Sequence, residues 1–146
     1  MSWLPKKKVI VPVDFSDNSV AALQTALEIA AEPAAVHVVH VLTPLDGLSP
    51  GAIFDTVDDA KRQASTGTYF AEFLSKNGIA GVKAVVRFGD PGLVIADYAA
   101  EQSADLIVVP SHGYHGVKRF VLGSVAERVI RHAHCPVLVL RRADGE

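Results

Sequence analysis

Apolar side chains gather along the chain in five short runs: Val9 to Val13, Val36 to Leu42, Val82 to Phe88, Leu106 to Val109 and Val137 to Leu140. Each has the length of a β-strand. Their near-continuous apolar character, in place of strict alternation, is what strands need when helices cover both faces of a parallel sheet. The intervals carry helical signals. After the first run, Ser16 precedes Val20, Leu23, Leu27 and Ala30 at helical spacing, and Pro33 stops the pattern. The second interval has a loop marked by Pro44, Gly47, Pro50 and Gly51, then a helix from about Ala52 to Lys76 ended by Asn77 and Gly78. In the third, Asp90 and Pro91 read as an N-cap with proline at the first helical position, leading into Leu93, Ala96 and Ala100. Ser124 with Glu127 forms a capping box for a fourth helix, which ends among Arg131, His132 and His134, where the helix dipole favours positive charge.

Strands alternating with helices predict an α/β fold, an open five-stranded parallel sheet between helical layers. The 146 residues suit one domain, and no internal repeat, linker or low-complexity tract divides them. A chain of that length removes roughly 68 to 70% of its unfolded surface from water. With 49% hydrophobic and 21% charged residues, the chain reads as globular and not disordered.

Charge and cysteine content narrow the classes. The formal net charge of -2 argues against a protein that coats nucleic acid by charge alone. The balance is uneven: between Ser111 and Arg142 stand Lys118, Arg119, Arg128, Arg131, Arg141 and Arg142 against Glu127 alone, a region suited to holding an anion. Cys135 is the single cysteine, which excludes an intrachain disulfide and a CxxC site and suits a reducing cytoplasm. Lys6 to Lys8 before Val9 to Val13 imitate the start of a signal peptide, but Pro12 and Asp14 interrupt the run. Neither a membrane span nor an export signal is expected.

Open parallel sheets bind ligands beyond the carboxyl ends of their strands, where the strand order reverses. Three loops there draw notice. In Val11-Pro12-Val13-Asp14-Phe15-Ser16, Pro12 breaks a local rule, because a central strand needs its N–H groups. Asp14 stands either as an acceptor for a ribose or as a partner for the helix start beside Ser16. The segment from Pro110 to Ser124, with Gly113, Gly116 and Gly123, has two readings as well. Its glycines allow close approach of a phosphate to the helix start, or they serve turns while Ser124 caps its helix. The third loop, Phe88 to Gly92, reads as helix initiation.

Other chemistry lacks support. The chain contains no GxxxxGK[ST], GxGxxG or GxSxG. His112 with His115, and His132 with His134 and Cys135, have spacings a metal uses, but no carboxylate completes a site and they read as polar loop and helix-end residues. Asp58, Asp59, Lys61 and Arg62 read as a solvated helix face.

The stretch Asp105 to Val109, Ser111-His112-Gly113, Gly116, Gly123 to Val129 and Cys135 to Val139, with Val11 to Ser16 and Gly89-Asp90-Pro91, resembles the universal stress protein family over essentially the whole chain. The resemblance implies an adenine-nucleotide alpha-hydrolase-like sheet of order 3-2-1-4-5, and a homodimer paired through the last strand, Val137 to Leu140. It also implies a crevice between strands 1 and 4 holding ATP or AMP, any Mg2+ being carried by the nucleotide. Pro12, Asp14, Val41, Gly113, Gly123, Ser124 and Val125 are the implied contacts, Asp14 at the ribose and Val41 at the adenine. One branch of the family binds ATP through G-x2-G-x9-G-[ST]; here Gly113 and Gly123-Ser124 match, but Pro110 replaces the first glycine. That proline removes an N–H and adds ring atoms.

The leading expectation is therefore a cytoplasmic stress-response module regulated by an adenine nucleotide, with slow or no hydrolysis, since no general base is evident. The alternative, favoured by Pro110, is a dimeric interaction module of the same family that leaves the crevice without nucleotide. A third is an enzyme, such as a nucleotidyl transferase or small hydrolase, on a similar scaffold. No catalytic residue, metal ligand, nucleic-acid partner or membrane partner is assigned.

Overall fold

The computed structural model describes residues 2–43, 59–111 and 122–141. Within them β1 (Val9–Pro12) leads into α1 (Asp17–Ile29), and a 3-10 turn at Pro33–Ala35 precedes β2 (Val36–Leu42). Then follow α2 (Asp59–Lys76), β3 (Lys83–Phe88), α3 (Pro91–Glu101), β4 (Leu106–Pro110), α4 (Ser124–His132) and β5 (Val137–Leu140). The sheet is parallel throughout and its strands lie in the order β3-β2-β1-β4-β5. The sequence-based strands recur in place, with β1 ending one residue earlier, β3 starting one residue later and β4 running on through Pro110. The stretch 52–58 of the expected second helix and the loop marked by Pro44 to Gly51 lie outside the described residues.

Successive strand side chains point to opposite faces, so the apolar runs feed two cores. On one face Val9, Val11, Val36, Val38 and Val108 pack against Ala22, Leu23 and Ala26 of α1 and Phe70 and Leu74 of α2. On the other, Ile10, Val39 and Ile107 meet Ile95, Tyr98 and Ala99 of α3 and Val129 of α4. The three central strands are buried up to their carboxyl ends, where Pro12, His40 to Leu42 and Pro110 are half-buried, and each large buried side chain contributes about 1.5–3 kcal/mol. Edge strands differ: β3 exposes Lys83, Ala84 and Arg87, and β5 is half-buried throughout.

Helix faces depart from the expected periodicity. α1 buries Ser19, Ala22, Leu23 and Ala26, while Val20, Leu27 and Ala30 are only half-buried. α3 buries Gly92, Ile95, Ala96, Tyr98 and Ala99, and it exposes Leu93 and Ala100. The buried face of α3 is set by two neighbours at once: Ile95, Tyr98 and Ala99 pack against the sheet, and Gly92 turns toward α4. At Gly92 a β-carbon would stand 2.4 Å from Cβ of Arg128, so α3 and α4 touch backbone to side chain there.

Caps depart too. Asp90 accepts from the Leu93 N–H at 3.1 Å and Pro91 follows at the first helical position, as expected. The capping box at Ser124 does not form: Gly123 occupies the cap, Ser124 is the first helical residue, and the Glu127 N–H donates to the Gly123 carbonyl at 2.9 Å. Glu127 instead pairs with Arg131 one turn on, at 2.6 Å. Ser16 sits in the cap position of α1, but its hydroxyl donates to Asp14 Oδ1 at 2.5 Å and caps no helix amide.

Far from the strands' carboxyl ends, a buried polar pair joins β2 to α3. His37 Nδ1 lies 2.8 Å from the Tyr98 hydroxyl. Burial, then the charges of Lys83 and Lys8, hold the imidazole below its usual value. Burial raises the Tyr98 phenol against the opposing pull of Arg87.

Candidate functional site

The sheet splits at its carboxyl end. The β1–β4 ladder runs from Val9↔Leu106 to Ile10↔Ile107 and stops. On the outer sides pairing continues, to Pro12↔Val39 in one direction and Pro110↔Leu140 in the other. A crevice of about 390 Å3 opens in the gap, at the reversal of strand order where open α/β sheets place ligands.

Backbone geometry explains the two prolines. N–H groups along a strand alternate between its neighbours. The Val13 N–H donates to Val39 of β2, so the donor missing at Pro12 belongs to the side facing β4, where the ladder has ended. Across the gap the Ser111 N–H donates to Leu140 of β5, so the donor missing at Pro110 belongs to the side facing β1. Neither proline costs a ladder bond. Both leave the crevice with a donor-free wall.

Pro12, Asp14, Val41, Gly123, Ser124 and Val125, the residues expected from sequence, all line this one crevice. Gly113 lies outside the described residues. Pro110, the residue that departs from the glycine motif, is part of the lining.

Of the two readings of Asp14, the structure displays the partnership with the helix start. Its Oδ1 accepts from the Ser16 N–H at 3.0 Å, the Ser16 hydroxyl and the Ser19 hydroxyl at 2.7 Å, while its own N–H donates to Ser19 Oγ at 2.9 Å. The carboxylate is thus tied to the start of α1 and also forms part of the crevice wall. Opposite it, α4 begins at Ser124. The first amides of a helix have no intrahelical partner and carry the positive end of the dipole, so Ser124, Val125 and Ala126 present an anion-favouring rim.

The basic excess near the C-terminus contributes less than its count implies. Arg128 pairs with Asp90 and Arg131 with Glu127. Lys118, Arg119 and Arg142 lie outside the described residues. Among the described residues, no three His, Cys, Asp or Glu side chains converge as a metal site. Asp59 and Lys61 are exposed, but Arg62 is half-buried and donates to the Thr43 carbonyl at 2.8 Å, so the charged face of α2 also closes over the end of β2.

Sequence reasoning missed Ser19, His40 and Pro91, which line the crevice as well. Pro91 belongs to the loop read as helix initiation; it performs that role and also faces the site, because the crossover from β3 to β4 carries α3 over the gap. His40 had a visible signal, a polar residue near the carboxyl end of a strand whose other polar residue, His37, lies at the opposite end.

Comparison with known proteins agrees with this architecture. The sequence profile described as the universal stress protein family matches residues 6–141. A universal stress protein of Methanocaldococcus jannaschii is 34% identical over 145 residues, covering 96% of this chain and 85% of that protein. The solved universal stress protein UspA from Lactobacillus plantarum superposes with a TM-score of 0.70 at 27% identity, covering 93% of this chain and 99% of that one. A universal stress protein from Archaeoglobus fulgidus, solved in complex with dAMP, gives 0.61 at 26% identity, covering 94% and 100%.

Proposed function

We propose that this chain, which belongs to the universal stress protein family, binds an adenine nucleotide, ATP or AMP, in the crevice between β1 and β4. The observation that carries the reading is the splitting of the ladder after Ile10↔Ile107, which brings Asp14 and Val41 to the same opening as the start of α4. The residues suit the ligand. Val41 and Val125 offer apolar surface to a base, Asp14 offers a carboxylate to sugar hydroxyls, and the first amides of α4 favour a phosphate. The A. fulgidus relative solved with dAMP supports the same class of ligand.

In this reading the nucleotide acts as a regulatory ligand, hydrolysed slowly or not at all. Phosphoryl transfer depends on positioned charge, usually with a metal and an oriented water, and Mg2+ in this reading arrives on the nucleotide phosphates. The protein works in the cytoplasm as a homodimer joined along β5, whose edge position leaves one side of its backbone open to pairing. No helix among the described residues is long and apolar enough to cross a membrane.

Calorimetric titration of ATP and AMP, with Mg2+, tests the reading on the native chain and on Ser124→Asp. An aspartate in the first turn favours the helix by about 0.3–1 kcal/mol, so the variant folds, yet its charge opposes a phosphate. Saturable binding to the native chain that is lost in Ser124→Asp is expected. No heat from either nucleotide with the native chain refutes it. The donor-free wall at Pro110 favours a second reading, in which the crevice stays without nucleotide and the dimer acts through its surfaces.

A further inference from the structure

We infer that His40 is a positioning residue that sets Asp14 in the crevice by holding the residues on both sides of it. On the near side, His40 Nδ1 lies 2.7 Å from the Val13 carbonyl. A carbonyl only accepts, so Nδ1 carries the proton, and the bond fixes the ring's tautomer. On the far side, the imidazole stacks on Phe15, with ring centroids 4.4 Å apart and planes inclined by 30°.

Phe15 needs such support. Its φ is +66°, in the left-handed region that residues with a β-carbon avoid. A conformation of this kind persists where its surroundings determine it. Tyr69, Phe70 and Phe73 of α2 close on Phe15 edge-on, at centroid distances of 4.9, 5.4 and 5.2 Å, and His40 supplies the tilted stack. The turn at Phe15 lets the chain fold back so that Asp14 meets Ser16 and Ser19.

Packing alone does not account for a histidine here. Its neighbours Val38, Val39, Val41 and Leu42 fill β2 with apolar side chains, whereas His40 is half-buried and lines the crevice. What a valine lacks at this position is a donor for the Val13 carbonyl and a flat face for Phe15. The consequence for ligand affinity rests on the nucleotide reading above; the placement of Asp14 does not.

The test separates these. Amide hydrogen exchange is followed in the ligand-free chain and in His40→Phe, which keeps a ring, His40→Asn, whose amide can donate from near the Nδ1 position, and His40→Gln, whose amide reaches toward the Nε2 position. His40→Phe, which keeps a ring and loses the donor, is expected to speed exchange at the Asp14 and Ser16 amides by about 10-fold or more, with Val108 in β4 unchanged; His40→Asn, which keeps the donor and loses the stack, to speed it by about 3-fold; and His40→Gln, which lacks both, by at least as much as His40→Phe. ATP affinity follows the same order, about 10-fold weaker in His40→Phe and about 3-fold weaker in His40→Asn. Native-like exchange in His40→Phe, or equal damage in all three variants, overturns the inference. Should His40→Phe not fold, the contrast between Asn and Gln decides it. Should native protein bind no ATP, the nucleotide reading falls while the exchange result still decides the role of His40.

Discussion

Replacing Pro110 isolates the feature that sets this crevice apart from the glycine motif of nucleotide-binding relatives. Pro110→Ala and Pro110→Gly both restore an N–H on the side of β4 that faces β1, because the next residue, Ser111, donates the other way to Leu140. Each also removes ring atoms from the lining. In the free protein, losing the proline constraint on the unfolded chain lowers stability by about 0.4–1 kcal/mol, and more for glycine than for alanine. In the complex, a backbone donor contributes about 0.5–1.5 kcal/mol to a neutral acceptor and about 1.5–3 kcal/mol to a charged one. At about 1.4 kcal/mol per tenfold, affinity rises about 2-fold to 10-fold for a sugar oxygen and more for a phosphate. Isothermal titration with ATP and AMP measures the gain, and urea unfolding measures the stability loss separately. Tightening in both variants identifies the donor as the missing element; tightening in Pro110→Gly alone identifies space. Unchanged or weaker binding in both refutes the argument that Pro110 restricts the site.

Further outcomes follow from the packing and the ionisable groups. Gly92→Ala forces a methyl to within 2.4 Å of Arg128 Cβ, so α3 and α4 must separate; a loss of about 1–3 kcal/mol is expected in denaturant titration, and a neutral result refutes the close approach. His37 is held below the usual imidazole value of 6.5 by burial, so the unfolded chain binds the proton more readily. Its contribution to stability is therefore complete above pH 6.5 and falls as the pH drops below that value; urea midpoints from pH 7.5 to 5, on the native chain and His37→Gln, should show the acid-side loss shrink in the variant. Light scattering at micromolar concentration should give about twice the chain mass of 15.5 kDa, and a monomer would refute pairing along β5.

The sheet was legible because burial on both faces writes itself as continuous apolar runs. Val36 to Leu42 and Val137 to Leu140 coincide with β2 and β5 to the residue. Helix existence was legible for the same kind of reason, through Pro33, Asp90-Pro91 and Asn77-Gly78. Helix faces were not: Leu93 and Ala100 fit a helical period, yet the residues of α3 that meet the sheet are Ile95, Tyr98 and Ala99, and Gly92 turns to α4. Local periodicity names a stripe, whereas the elements packed against the helix select which stripe is buried.

For the candidate site, residue types and motif spacing marked Asp14 and the Gly123-Ser124 helix start only as separate candidates, since a strand-end carboxylate, a glycine and a helix start are local signals; the resemblance to the universal stress protein family joined them, with Pro12, Val41 and Val125, into one crevice. Tertiary structure alone decided the rest. It ended the β1–β4 ladder after Ile10↔Ile107, turned the donorless sides of Pro12 and Pro110 toward one gap, and moved the cap of α4 from Ser124 to Gly123. It also set His40 between Val13 and Phe15, residues far from it in the chain. Hydrogen-bond direction and nonlocal contact depend on which strands become neighbours and where their pairing stops, and no short window of sequence contains that information.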